Sequence, residues 1–258
     1  MDNLMQSRRQ NKTNPETETM AEKGKRQAIL LFTHTCRQEV HRKQFTRNLG
    51  RRGNQKLADQ FIDRAAKTAH RTGFEVIIYD TNRQMGDTFG ERFSNAFHDL
   101  FDQGYDHIVA IGNDTPALSE LHIKEAFQCL ENRKAVIGPS ADGGAYLIGL
   151  SKAMFDQTAF NAVAWETSQV CAHLQALLEI KNIAISCLET LHDVDSAADL
   201  RFLLNKGAVN RAIWHFMSTI ASILASFNPT RSTLFILHFT SVILPLDLGR
   251  SPPLLLAS

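Results

Sequence analysis

The feature that most constrains this chain is an alternation. From about residue 27 to residue 206, short apolar runs take turns with longer stretches whose apolar residues recur at helical spacing. The runs are "AILLF" (28–32), "FEVIIYD" (74–80), "HIVAIG" (107–112), "KAVIG" (134–138) and "AYLIGL" (145–150). A continuous apolar run of this length is what a strand covered on both faces requires. Between them, Leu57, Phe61, Ile62, Ala65 and Ala69 make a helical stripe over 54–72 that stops at Gly73. Phe89, Phe93, Phe97, Leu100 and Phe101 make a second, which reads as core packing. Thr88 and Glu91 form a capping-box pair at its start, and Gly104 marks its stop. Ser119 suits the N-cap of a helix running through Leu130. A helix over 168–180, a strand "IAISCLE" (183–189) and a helix opened by Ser196, with Asp199 as its box partner, follow. Strands alternating with helices predict an α/β domain with a largely parallel sheet.

In such a sheet, ligands bind beyond the carboxyl ends of the strands, beside a change in strand order. Four segments fall there: "QMGDTFGER" (84–92), "IGNDTPAL" (111–118), "GPSADGGAY" (138–146) and "LHDVDSAADL" (191–200). Asp114 stands at the end of the third strand. With Asp193 or Asp195 it can supply the oxygen ligands that magnesium takes alongside substrate phosphates. The competing reading is local: Asp114 caps a turn before Pro116, and Asp193 and Asp195 belong to a helix N-terminus. Gly143-Gly144 likewise suits a hairpin turn between two strands, or a loop bare enough for a sugar or phosphate to reach the backbone.

Composition excludes several classes. With 28 basic and 27 acidic residues, net charge +1, nothing argues for a nucleic-acid partner. Cys36, Cys129, Cys171 and Cys187 are scattered and form no C-x-x-C, so neither a zinc site nor a disulfide framework is expected. This usage suits reduced thiols in a cytoplasmic protein. No H-E-x-x-H or G-x-S-x-G occurs, and no G-x-G-x-x-G follows the first strand.

Residues 1–26 are polar, mixed in charge and without an apolar segment, and read as a disordered extension rather than a signal peptide. Residues 208–258 hold two uncharged apolar runs, "AIWHFMSTIASILASF" and "STLFILHFTSVILPL". Each is shorter than the roughly 20 residues that span a bilayer. A helical hairpin against the domain, an interfacial membrane anchor and a dimerisation surface all remain open for this extension. The domain itself is placed at 27–207.

Taken in order, "QMGDTFGERFSNAF", "IGNDTPAL", "GPSADGGAYLIGL", "WETSQV" and "LHDVDSAADL" resemble the bacterial glycosyltransferase-like family DUF2064, of the GT-A nucleotide-diphospho-sugar transferase superfamily. The resemblance covers residues 27–206. It implies a three-layer α/β/α, Rossmann-like fold, a nucleotide or nucleotide-sugar ligand, a small-molecule acceptor and a divalent metal, Mg or Mn. It gives Asp114 the place of the superfamily's metal-binding aspartate, with Asp195 and Asp193 as further carboxylates. It gives Asp142, Gly143, Gly144 and Tyr146 the D-G-G-x-Y signature on the acceptor side. Trp165 and Thr167 form a W-x-T rim. Gln84, Gly86 and Arg92 belong to a Q-x-G-x-x-x-G-E-R segment whose backbone meets base or ribose. Thr33, His34, Arg42 and Asn113 complete the donor side.

One departure stands out. Family members commonly follow the first strand with a Pro/Gly-rich loop ending in Lys-Thr-Arg. Here that place reads "THTCRQEVHRKQF" (33–45), without glycine or proline, although Arg37, Arg42 and Lys43 retain positive charge for phosphate.

The expected activity is therefore metal-dependent transfer from a nucleotide-activated donor, foremost glycosyl transfer, with Asp142 as the candidate base. Nucleotidyl transfer to a phosphorylated small molecule is the alternative on the same fold. A nucleotide-binding or scaffold protein without turnover, and a peripheral membrane component, are the readings from other classes.

Overall fold

The computed structural model describes residues 24–35, 37–38, 50–205 and 211–227. Its elements in chain order are β1 (Gln27–Phe32), α1 (Gly50–Arg71), β2 (Glu75–Tyr79), α2 (Phe89–Asp102), β3 (His107–Ile111), α3 (Glu120–Glu131), β4 (Ala135–Pro139), β5 (Ala145–Ser151), α4 (Gln157–Asn161), α5 (Val170–Ile180), β6 (Ile185–Cys187), α6 (Ala197–Asn205) and α7 (Arg211–Phe227). The six strands form one sheet in the order β2-β1-β3-β5-β4-β6. β1 runs parallel to β2 and β3, and β4 parallel to β6; β5 alone is antiparallel, to both β3 and β4.

Both faces of the sheet are covered, which is why its strands read as unbroken apolar runs. In β1, Ala28, Leu30 and Phe32 face a core shared with Phe93 and Phe97 of α2, Phe160 of α4 and Leu174 of α5. Ile29 and Leu31 face the opposite core, against Ala65 and Ala69 of α1 and Ile123 and Phe127 of α3. The result is the three-layer α/β/α architecture with a mostly parallel sheet that the sequence predicts.

Local signals explain the helix ends. Thr88 accepts from the Glu91 N–H while the Glu91 carboxylate accepts from the Thr88 N–H, so both halves of the capping box are present. Ser119 caps α3 in the same reciprocal way with His122 at the third position. Ser196 and Asp199 exchange the corresponding bonds ahead of α6.

Three features differ from the sequence reading or go beyond it. "FEVIIYD" reads as a buried strand, but β2 lies at the sheet edge, with Ile78 43% exposed. A β-rich apolar run has the same composition in either place. The single turn α4, capped by Asp156, carries no periodicity and escapes the sequence reading. Finally, the described residues do not stop at 207. α7 lies on α1, where Phe216 meets Phe61 edge to face at 5.1 Å, and Met217 and Ile220 are fully buried. The first apolar run of the C-terminal stretch thus packs against the domain; residues 228–258, like 1–23, lie outside the described residues. No helix among the described residues is long and apolar enough to cross a membrane.

Candidate functional site

A cleft of about 680 Å³ opens over the carboxyl ends of β1 and β3 and the start of β5. It sits where β5 runs against its neighbours, the kind of break in a parallel sheet at which such folds bind ligands. Three loops converge on it.

The first follows β3. Asn113 and Asp114 line the cleft, and Gly112 leaves the Asp114 carboxylate close to the backbone. Thr33, just past β1, donates to Asn113 Oδ1 at 3.0 Å, tying the two parallel strand ends together. His34 beside it also lines the cleft, with Nδ1 3.3 Å from the Thr81 hydroxyl. The turn after Asp114 is anchored from behind, because Arg64 of α1 donates from Nε to the Pro116 carbonyl at 2.7 Å. Burial in that position, with Arg71 nearby, lowers the Arg64 pKa to about 10.

The second loop follows β6. The chain runs on beside β4, where Leu188 N–H bonds to the Ile137 carbonyl and Leu191 N–H to the Pro139 carbonyl. It then crosses to the β3 loop, where Val194 N–H donates to the Asp114 carbonyl at 2.9 Å. Buried Val194 acts as a peg, and Asp193 and Asp195 on either side of it both line the cleft. Burial, together with the repulsion of Asp114, pushes the Asp193 carboxyl up to about 7; the hydroxyls of Ser140 and Thr115 pull the other way. Two carboxylates held this close favour a cation between them or a proton on one of them.

The third is the β4–β5 hairpin. Gly143 (φ +92°) closes a tight turn, its N–H bonding to the Ser140 carbonyl at 3.0 Å. A Cβ there would meet the Ser168 carbonyl oxygen at 2.0 Å. Its bareness therefore lets the loop before α5 pack on the hairpin, and Gly143 is not among the cleft-lining residues. Asp142, Gly144 and Tyr146 are. Asp142 Oδ1 accepts from the Gly144 N–H at 3.0 Å, which orients the carboxylate. The Tyr146 hydroxyl donates to the Glu189 carbonyl at 3.0 Å, pinning the second loop to the third, and burial raises its pKa.

An aromatic wall completes the cleft: Phe32, Phe89, Phe93 and Trp165. Trp165 is rigid. Its Nε1 donates to the Phe160 carbonyl at 2.9 Å and its ring packs on Phe89, Phe93 and Phe160. Thr167 lines the rim with its hydroxyl bonded to the Ala164 carbonyl.

Of the residues that the sequence singles out, Thr33, His34, Asn113, Asp114, Asp142, Gly144, Tyr146, Trp165, Thr167, Asp193 and Asp195 line this one cleft. Gln84, Gly86 and Arg92 do not. Gln84 is buried, and its amide donates to the Thr33 and Tyr79 carbonyls. Gly86 (φ +131°) lies against the Glu91 side chain, where a Cβ would have no room. Arg92 bonds back to the Asp87 carbonyl. These three residues shape the start of α2, and the segment reaches the cleft through Phe89. Arg42 lies outside the described residues.

The sequence reading passes over Phe32, Phe89, Phe93, Glu166 and Ser168 as cleft residues. A wall aromatic and a core aromatic share the same helical spacing, so only the Trp165 motif hinted at it.

The lining carries five carboxylates, Asp114, Asp142, Glu166, Asp193 and Asp195, and no Lys or Arg among the described residues. No group of three or more His, Cys, Asp or Glu side chains among the described residues is arranged to hold a metal ion by itself. The Asp114–Asp193 pair nonetheless fits a hard divalent cation, which needs only one or two carboxylates when phosphates and water supply the rest.

The three-layer architecture is that of the nucleotide-diphospho-sugar transferase fold. A protein from Desulfovibrio desulfuricans G20, assigned as a nucleotide-diphospho-sugar transferase, superposes with a TM-score of 0.69 at 21% identity, over 79% of this chain and 99% of its own. The family described as "Uncharacterized protein conserved in bacteria (DUF2064)" matches residues 10–167, and the chain belongs to it. Rv0371C from Mycobacterium tuberculosis H37Rv, solved in complex with manganese, matches at 14% identity and a TM-score of 0.38, over 70% of this chain and 99% of its own. A CMP:2-keto-3-deoxy-manno-octonic acid synthetase solved with CTP matches at 11% identity and a TM-score of 0.38, over 69% of this chain and 96% of its own. Scores this low do not bear on the chemistry of this chain. No curated protein matches the sequence.

Proposed function

We propose that this protein is a metal-dependent transferase that uses a nucleotide-activated donor, with glycosyl transfer from a nucleotide-sugar as the reaction. The observation that carries the reading is the meeting of Asp114 and Asp193 at the cleft floor. Two loops from different strands bring the carboxylates to one cleft, where burial and then the repulsion of Asp114 raise the Asp193 pKa to about 7. A fold keeps such an arrangement where a ligand relieves it. The fold shared with the Desulfovibrio protein supports a nucleotide-sugar as that ligand.

Asp114 and Asp193 would hold a divalent cation, which offsets the charge of a diphosphate as the bond to the leaving group breaks. The chain's own residues do the rest. Thr33 and Asn113 shape the donor side of the floor. The aromatic wall excludes water and offers flat apolar surface, suited to a sugar face or a base. Asp142 projects from the hairpin with one oxygen fixed by the Gly144 N–H, leaving the other free to take the proton of an acceptor hydroxyl. Asp195 and Glu166 keep the rim negative, which favours a neutral or cationic acceptor.

Turnover of the full chain tests the reading. Nucleoside-diphosphate sugars and nucleoside triphosphates are offered separately, with Mn²⁺ and a panel of sugar, polyol and sugar-phosphate acceptors, and products are read by mass spectrometry. Nucleoside diphosphate release with a glycosylated acceptor, lost in Asp114→Ala, is the expected outcome. Pyrophosphate release from a triphosphate would transfer the reading to nucleotidyl chemistry. Binding without either product would leave a non-catalytic nucleotide-binding protein.

A further inference from the structure

The carboxylate pair has an unassigned support. Thr115, next to Asp114, is buried at 6% exposure, and its hydroxyl donates to Asp193 Oδ1. Ser140, 4% exposed at the end of β4, turns its hydroxyl toward the same carboxylate; its Oγ is buried and has no hydrogen-bond partner. Two buried hydroxyls thus face one carboxylate from two elements of the sheet, β3 through its loop and β4.

The backbone around Thr115 is held from both sides. Leu118 N–H bonds to the Thr115 carbonyl at 3.0 Å, and Arg64 fixes the next residue by its carbonyl. The hydroxyl is therefore delivered by a braced turn rather than by a mobile side chain. A threonine one residue after a strand-end aspartate would ordinarily cap its own turn. Here its hydrogen bond reaches 78 residues along the chain instead.

We infer that Thr115 is a positioning residue for the metal site. Its hydroxyl fixes the rotamer of Asp193 by engaging Oδ1, leaves Oδ2 available to a cation, and keeps the carboxylate from swinging away from Asp114. The inference rests on the proposed metal-dependent function, since it names what orients one member of the pair that would hold the cation. Partners that orient a ligating carboxylate typically change metal affinity by about 10- to 100-fold when removed.

The experiment titrates Mn²⁺ into the full chain, reading affinity by calorimetry and by the loss of the free-ion electron paramagnetic resonance signal. Wild type, Asp114→Asn, Thr115→Val and Thr115→Ser are compared, and the melting temperature of each is recorded in EDTA. Thr115→Val is expected to weaken Mn²⁺ binding about 10- to 100-fold. Thr115→Ser, which keeps the hydroxyl, is expected to restore it to within about threefold of wild type. Unchanged affinity in Thr115→Val, with only a lower melting temperature in EDTA, would make the role merely structural and overturn the inference. Equal weakening by Thr115→Ser would overturn it too, because the methyl rather than the hydroxyl would then matter. If Thr115→Val does not melt cooperatively, Thr115→Ala is read by the same criteria. Failure of wild type to bind Mn²⁺ would remove the metal-dependent function and this inference with it. Binding that Asp114→Asn abolishes and the Thr115 variants leave intact would remove the inference alone.

Discussion

Replacing Asp193 with asparagine should stabilise the metal-free protein while destroying its affinity for metal. The side chain keeps its shape and can still accept from the Thr115 hydroxyl, so the change isolates charge. Burial and Asp114 hold the Asp193 carboxyl near 7 against an ordinary value of 3.8. A pKa raised on folding contributes stability that is fully present below about pH 4 and is lost as the pH rises through about 7. The full shift corresponds to a penalty of about 4 kcal/mol at pH 8 and roughly 1.5 kcal/mol at pH 5, where the folded carboxyl is protonated. Asp114 shares the repulsion and loop relaxation relieves part of it, so a gain of about 1–3 kcal/mol at pH 8 is the realistic expectation. Urea denaturation in EDTA at pH 8 and pH 5 measures this directly, with the advantage of Asp193→Asn shrinking at the lower pH. On the proposed function, Mn²⁺ should stabilise wild type and fail to stabilise the variant. A variant less stable than wild type at pH 8, or an advantage independent of pH, would refute the claim that the fold holds ionised Asp193 at a cost, through burial and the repulsion of Asp114.

Other perturbations follow from the same geometry. Gly143→Ala should cost about 2–4 kcal/mol, since the residue must hold a positive φ and its Cβ would collide with the Ser168 carbonyl; thermal denaturation checks it. Phe216→Ala should cost about 3–5 kcal/mol, because the ring is buried against Phe61 and beneath Arg64. Truncation after residue 207 should be worse, and a lower melting temperature or loss of soluble protein is the readout. His107 is buried at the start of β3, and burial followed by the charge of Lys25 lowers its pKa. Its contribution should hold above about pH 6.5 and fade as the pH falls through its lower folded value, a loss that His107→Gln should blunt in an acid titration of stability.

How much of this could be read beforehand depended on whether the cause was local. The capping box at Thr88 and the N-cap at Ser119 are local signals, and both lie where the sequence puts them. That β2 is an edge strand depends on strand order, which no window along the chain contains. Asp114, Asp142, Asp193 and Asp195 were legible because each follows a strand, and strand ends converge in a parallel sheet; Glu166, between α4 and α5, was not. Their supports were not. Thr115 reaches Asp193 across 78 residues, and nothing in "NDTP" announces it. Gly86, and Gly90 in the same motif, serve packing. A motif records packing as well as contact, and these glycines make room for Glu91 and for the Trp165 ring. Trp165 was placed on a rim by its motif, yet it stands within a wall of phenylalanines whose spacing is that of any buried helix face.

The central claim is that Asp114 and Asp193 bind a nucleotide diphosphate through a divalent cation. Calorimetric titration of nucleoside diphosphates into the full chain, with Mn²⁺ or with EDTA, and with wild type or Asp114→Ala, tests it most directly. The account predicts that one nucleotide binds with Mn²⁺ and that its affinity collapses in EDTA and in Asp114→Ala alike. Nucleotide binding that is indifferent to both would contradict it and return Asp114 to the role of a turn residue.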